Sequence, residues 1–62
     1  MRVLIETLTP TKRIMKDRSP MGVPRWVIEE IDSEGRYRTV RIYNKIWYKL
    51  EKVKELESCL NT

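Results

Sequence analysis

The chain has 62 residues, with 13 basic against 9 acidic side chains, and this length limits it to one small domain. A chain of this size buries only about 60% of the surface that its unfolded form exposes, which leaves little room for a buried catalytic cleft. It has no His and one Cys, so a structural zinc site and a disulfide framework are both excluded for this chain alone, and we expect a non-enzymatic protein without cofactor or metal.

The N-terminal segment 2–8 is rich in apolar and β-branched residues and ends at Thr9-Pro10, which predicts a first strand. Its apolar run is interrupted by Glu6 and is far shorter than a signal sequence or a membrane span. We therefore expect a cytoplasmic protein that does not enter a membrane.

Residues 9–24 leave two alternatives open. The segment 12–16 fits a short edge strand whose lysines would discourage aggregation, or else all of 9–24 is a mobile basic loop within a single domain spanning 1–62. Two prolines around Gly22 predict a loop over 19–24. In both cases the segment offers four cations for phosphate contacts: Lys12, Arg13, Lys16 and Arg18.

Two β-branched and aromatic segments, near 25–32 and 36–43, predict a hairpin. Asp32 and Gly35 occupy the first and fourth positions between them, as a type I turn with a positive φ at the glycine prefers. An acidic stretch over 29–35 lies between basic segments, a charge order that is typical of cross-strand ion pairs.

Facing Asp32 with Arg36 fixes the register of the whole predicted hairpin. One face, which we expect to be the core, then collects four apolar residues, closed by an ion pair at the turn end: Trp26, Ile28, Val40 and Ile42 with Glu30 and Arg38. The other face is amphipathic and carries Arg25, Val27, Glu29, Ile31, Tyr37, Thr39, Arg41 and Tyr43.

The C-terminal third has apolar residues at helical spacing and predicts one helix over about 45–60: Ile46, Leu50, Val53, Leu56 and Leu60. Asn44 is the expected N-cap, and Tyr43 is expected to pack on Tyr48. The predicted fold class is therefore α+β. Its antiparallel sheet has three strands, or four if 12–16 is a strand, and the C-terminal helix packs on that sheet.

The leading functional hypothesis is nucleic-acid binding through the Arg/Tyr sheet face and the basic loop. Two-stranded ribbons enter major grooves, sheet aromatics stack on unpaired bases, and Arg suits bidentate contacts to phosphate or guanine. The competing interpretation is an ordinary solvent-facing strand surface. The candidate residues are Lys12, Arg13, Lys16, Arg18, Arg25, Tyr37, Thr39, Arg41, Tyr43 and Lys45.

A protein-binding accessory or inhibitor module, of the kind found in viruses and mobile elements, is the alternative. It would act through exposed apolar and aromatic residues, for which Val27, Ile31 and Trp47 are candidates. A homodimer through the helix, with Lys49 of one copy pairing with Glu57 of the other, is a further hypothesis. The element order over 25–60 resembles that of the arm-type DNA-binding domains of tyrosine recombinases, which implies a sheet face that contacts DNA.

Overall fold

The computed structural model describes residues 1–60 and confirms the α+β fold expected from the sequence. An antiparallel sheet precedes one C-terminal helix, and its four strands are ordered β1-β2-β3-β4, so each strand pairs with its neighbour in the chain. None of the helical structure within residues 1–60 is long and apolar enough to cross a membrane. The elements are β1 (Val3–Thr9), β2 (Lys12–Arg18), β3 (Pro24–Ile31), β4 (Tyr37–Asn44) and α1 (Leu50–Leu60).

The strand alternative for the basic segment is confirmed, and β2 lies between β1 and β3 rather than at an edge. The loop expected over 9–24 is therefore reduced to two turns. The second turn is held by hydrogen bonds, because Ser19 N donates to Val23 O at 2.9 Å and Gly22 N donates to Ser19 O at 2.8 Å. Gly22 has a φ of 86°, a left-handed conformation that favours glycine.

The predicted β3–β4 turn is confirmed. Asp32 N donates to Arg36 O at 2.8 Å, and Gly35, with a φ of 80°, donates its N–H to Asp32 O at 3.0 Å. The Asp32 carboxylate accepts the backbone N–H groups of Glu34 and Arg36 at 2.8 and 3.0 Å. These bonds and the nearby Arg38 guanidinium lower the pKa of Asp32 from its ordinary value.

The predicted hairpin register holds only near the turn. Ile31 pairs with Tyr37 and Glu29 pairs with Thr39 as expected, but a bulge follows, and Ile28 pairs with Arg41 instead of Val40. One extra residue in β4 reverses which face each later side chain occupies. The strand segment after the bulge therefore has the opposite facing to the one predicted.

The bulge changes the predicted core and the predicted amphipathic face together. Tyr43 now pairs with Trp26 on the helix side of the sheet, and Arg41 lies on that side as well. Ile42 lies opposite Val27 on the other face, and both Val40 and Ile42 are exposed rather than buried in the core.

The helix begins at Leu50 rather than at 45. Asn44 caps a separate turn instead: its Oδ1 accepts Ile46 N at 2.8 Å and its carbonyl accepts Trp47 N and Tyr48 N. The Tyr48 carbonyl accepts a hydrogen bond from Trp26 Nε1 at 2.9 Å. The expected contact of Tyr48 with Tyr43 is present as an edge-on ring pair with centroids 5.2 Å apart.

The core between sheet and helix is small. Three strand residues and Val53 of α1 form its buried cluster, while Ile46 and Leu60, at the two ends of the predicted apolar stripe, are exposed. The cluster consists of Ile14, Trp26, Ile28 and Val53, with Leu8, Tyr43 and Leu50 packed against it.

A buried carboxylate completes the helix–sheet interface. Glu57 of α1 is 0% exposed, and its two oxygens accept Nε and Nη2 of Arg41, each at 2.8 Å. Tyr43 Oη donates to it at 2.6 Å, and Lys12 Nζ lies 3.4 Å away. Burial would raise the pKa of Glu57, but the hydrogen bonds from Arg41 and Tyr43 outweigh it, so the pKa lies below the ordinary value and the group is ionised at neutral pH.

We expect Glu57→Gln to lower the free energy of unfolding by about 3 kcal/mol, because it leaves cations at a buried position without their counter-charge. Urea denaturation measures this. The matched control is Glu55→Gln on the same helix, whose exposed carboxylate pairs with Lys52 and whose removal should change stability by less than about 0.5 kcal/mol. Equal effects of the two substitutions would contradict the role given to Glu57.

The Tyr43 phenol gives a second test of this interface. Burial and the hydrogen bond to Glu57 raise its pKa to about 12. Because the folded pKa is raised, the stabilisation is complete below the ordinary value of 10.0 and is lost as the pH rises towards 12. In a phenolate absorbance titration, Tyr43→Phe should remove the ionisation step near pH 12. If Tyr43→Phe instead removed an ionisation step near pH 10, the Tyr43 phenol would be exposed to solvent in the folded protein.

Candidate functional site

The sheet face away from the helix carries a network of arginines and carboxylates. Asp17 accepts Arg25 Nε at 2.6 Å and Arg2 Nε at 3.0 Å. Glu29 accepts Arg2 Nη1 at 2.6 Å and Arg13 Nε at 2.8 Å. Both carboxylates are buried, so the arginines on this face are held by internal partners.

Two further predicted site residues belong to the same network. Arg2 Nη1 also donates to Thr39 Oγ1 at 2.8 Å, and the Arg13 guanidinium lies over the Tyr37 ring, 3.5 Å from its centroid. A tyrosine face covered by a guanidinium cannot stack on a base unless that contact opens. The arginines of this network are therefore bound to carboxylates, and one face of the exposed Tyr37 ring is covered.

The electrostatics of the two carboxylates follow from these contacts. Hydrogen bonds from Arg25, followed by those from Arg2, lower the pKa of Asp17 despite its burial. For Glu29, burial would raise the pKa, but the hydrogen bonds and charges of Arg2 and Arg13 outweigh it and the pKa is lowered. Both groups are ionised at neutral pH and held by cations, which suits a structural ion-pair network rather than proton transfer.

The predicted site residues on the helix side are also engaged. Lys12 is 6% exposed, with Nζ 3.4 Å from Glu57 and 4.0 Å from Glu30. Arg41 and Tyr43 bind Glu57, as described above. The two other basic residues of β4 and its turn are paired at the turn, Arg38 with Asp32 at 2.9 Å and Arg36 with Glu34.

Three of the predicted cations converge at one end of the sheet, and we call Lys16, Arg18 and Lys45 the basic corner. Lys16 pairs with Trp26, Arg18 pairs with Pro24, and Lys45 N donates to Pro24 O at 3.1 Å, so β-sheet register brings them together. The Lys45 ammonium lies 5.1 Å from the Trp26 ring.

The charge of the basic corner is not compensated by neighbouring side chains. Within residues 1–60, no ion pair joins any of its three cations to a carboxylate, and Arg18 donates only to the Gly22 carbonyl at 2.8 Å. The pKa of Lys45 is lowered, chiefly by the adjacent Lys16 and further by desolvation and by Arg18. Bringing an anion to this corner would relieve that repulsion.

Exposed apolar residues follow the basic corner in the chain. Trp47 is 79% exposed and Ile46 is 69% exposed, both in the turn that carries Lys45. Of the residues expected in a protein interface, only Trp47 is strongly exposed, because Val27 is 0% exposed and Ile31 is partly buried. Glu57 is also 0% exposed, so its carboxylate is not accessible for the ion pair with Lys49 of a second copy that the homodimer hypothesis needs.

A recess of about 310 Å³, lined by the N-terminal segment and by the end of β2, borders the basic corner. Its apolar side chains are Met1, Val3 and Ile5, and Lys16 and Arg18 contribute to its wall. Asp17 also lines it, with its carboxylate held by Arg2 and Arg25. Within residues 1–60, no cluster of side chains suited to a metal ion is present.

Two features of this arrangement were missed by sequence reasoning. The sequence pattern places Arg2 only in a strand, and no signal in the sequence shows that its side chain reaches Asp17 and Glu29. Glu57 did leave a signal, because it follows Val53 by four residues and therefore lies on the apolar stripe of the helix.

Comparison with protein families, with curated proteins and with solved structures found no match for this chain.

The arginine–carboxylate network predicts the acid stability of the protein. Because Asp17, Glu29 and Glu57 have lowered pKa values when folded, the unfolded state binds more protons as the pH falls. The free energy of unfolding should therefore decrease as the pH drops below about 5 and continue to decrease through the folded pKa values. Urea denaturation across this range measures the slope, which Asp17→Asn should reduce. A stability independent of pH between about 6 and 3 would contradict the network.

Proposed function

We propose that this protein is a non-enzymatic binding protein that contacts nucleic acid through the basic corner and the adjacent Trp47. The observation that carries the proposal is the contrast between two groups of cations. Arg2, Arg13, Arg25 and Arg41 are neutralised by carboxylates, whereas the basic corner gathers three cations without one among residues 1–60.

Uncompensated cations beside an exposed aromatic ring suit nucleic acid in two ways. Lysine and arginine neutralise phosphates and release counterions, which supplies affinity without reading sequence. An indole ring offers a face for base stacking. The candidate residues of the sheet faces then serve a structural role, and the nucleic-acid contact is confined to one end of the sheet.

A role without catalysis is supported by the state of the buried carboxylates. Asp17, Glu29 and Glu57 each accept hydrogen bonds from arginine, and their pKa values are lowered. A general acid or base at neutral pH needs a pKa moved in the opposite direction, towards the working pH.

A protein-binding module remains the second candidate, favoured by one observation. Ile46 and Trp47 are adjacent, both strongly exposed and next to a cation, as in the anchor of a protein interface. The two candidates differ in their salt dependence and in which residues carry the affinity.

We expect fluorescence anisotropy to detect binding of labelled oligonucleotides of about ten nucleotides, with affinity falling steeply between about 50 and 200 mM salt. Lys16→Ala and Lys45→Ala should each weaken binding and reduce the logarithmic salt slope by about 1. The matched control is Lys52→Ala, a lysine on α1 that forms an exposed ion pair with Glu55. An equal loss in the control, or no binding at the lower salt concentration, would contradict the proposal and favour a protein partner.

A further inference from the structure

The basic corner lies between two apolar features that its cations do not explain. On one side is the recess, whose apolar side chains Met1, Val3 and Ile5 are exposed. On the other side is the turn that follows β4, with Trp47 exposed. A surface that only neutralises the phosphates of a regular duplex needs neither a recess nor an exposed indole ring.

The order of these features follows the sheet. Neighbouring strands lie about 4.8 Å apart, so the distance from β1 across to β4 is about 14 Å. Lys16 is on β2 beside Val3 of β1, and Lys45 directly follows β4. The recess and the three cations therefore succeed one another across a span that fits a few nucleotides, and Trp47 follows Lys45 by two residues in the chain.

We infer that the basic corner binds single-stranded nucleic acid, with one base stacked on Trp47, a second base in the recess, and the intervening phosphates on Lys16, Arg18 and Lys45. This inference rests on the proposed function. It names the form of nucleic acid that the site accepts.

The distinction between single and double strands follows from where the bases are. In a duplex the bases are paired and stacked inside, and the outer surface presents phosphates. In a single strand the bases are free to turn outward, stack on aromatic side chains and enter apolar recesses. At about 310 Å³ the recess has room for a base.

The alternation of charge and apolar surface favours nucleic acid over an acidic peptide as the occupant. A single strand alternates an anionic phosphate with a flat base at every nucleotide. The site likewise presents an apolar recess, then cations, then an indole ring. An acidic peptide would pair with the cations but needs no flat aromatic partner.

The first experiment measures binding of the full chain to two single strands of about ten nucleotides, an oligo-dT and an oligo-U. The comparison is a hairpin duplex that carries the same number of phosphates, at about 50 mM salt. The single strands should bind at least about tenfold more tightly than the duplex. Trp47→Ala should weaken single-strand binding by about tenfold, and Trp47→Phe should retain most of it, while duplex binding changes little. Ile46→Ala, at the neighbouring exposed position, is the matched control.

The second experiment fills the recess. Val3→Trp should weaken single-strand binding because the larger side chain occupies the position of the base. Leu4→Trp is the control, since Leu4 is similarly exposed but pairs with Met15 on the opposite face of the sheet. Circular dichroism establishes that both variants are folded, so a loss confined to Val3→Trp reports on the recess.

The failures can be told apart. Equal affinity for single strand and duplex, insensitive to Trp47→Ala but sensitive to Lys16→Ala, would overturn the inference and leave the proposed function standing. Absence of binding to every oligonucleotide would overturn both. Tighter binding of polyglutamate than of single strands would assign the corner to an acidic protein segment. Sedimentation as a dimer that Val3→Trp abolishes would assign the recess to a second copy of the chain.

Discussion

The structure depends on one buried charge, the carboxylate of Glu57. The hydrophobic cluster between helix and sheet contains only four fully packed side chains, which is thin for holding a helix of eleven residues. Glu57 adds a bidentate arginine contact, a tyrosine hydrogen bond and a nearby lysine, all from the sheet. Such a cluster is favourable only when every member is satisfied, because an unpaired charge at this depth is costly. The position of the helix and the facing of the last strand are therefore set by the same group.

The bulge in β4 is the consequence of this constraint for the backbone. Without it, Val40 and Ile42 would face the helix, and Arg41 and Tyr43 would face away, as the uninterrupted register predicts. With it, Arg41 and Tyr43 reach Glu57, and two β-branched residues become exposed. Bulges bend a strand and increase its twist, and here one also redirects two polar side chains to the interior. The fold therefore leaves Val40 and Ile42 exposed, while the buried carboxylate of Glu57 gains its hydrogen bonds from Arg41 and Tyr43.

Whether a feature could be predicted from the sequence depends on how far apart along the chain the interacting residues lie. The turn at Asp32 and Gly35, the strands and the presence of one C-terminal helix depend on neighbouring residues, and all were predictable. The bulge turns Arg41 towards Glu57, sixteen residues later in the chain, and pairing rules within the hairpin do not include that contact. The late start of the helix depends on the Tyr48 carbonyl being bound by Trp26, another distant residue. For the candidate site, the sequence indicates which residues are basic but not which of them form ion pairs with carboxylates.

The distribution of carboxylates, rather than the net charge of +4, determines where this molecule can attract an anion. Most carboxylates of the sheet, its turn and the helix are bound to arginine or lysine, and each such pair removes a cation from the surface available to a partner. Among the cations that this pairing leaves without a carboxylate in residues 1–60, Lys16, Arg18 and Lys45 adjoin one another. Like charges held together by the fold attract an anion more strongly than the same charges dispersed, because the protein has already overcome their repulsion on folding. The ion pairs that stabilise a small core therefore also confine the proposed binding surface to one end of the sheet.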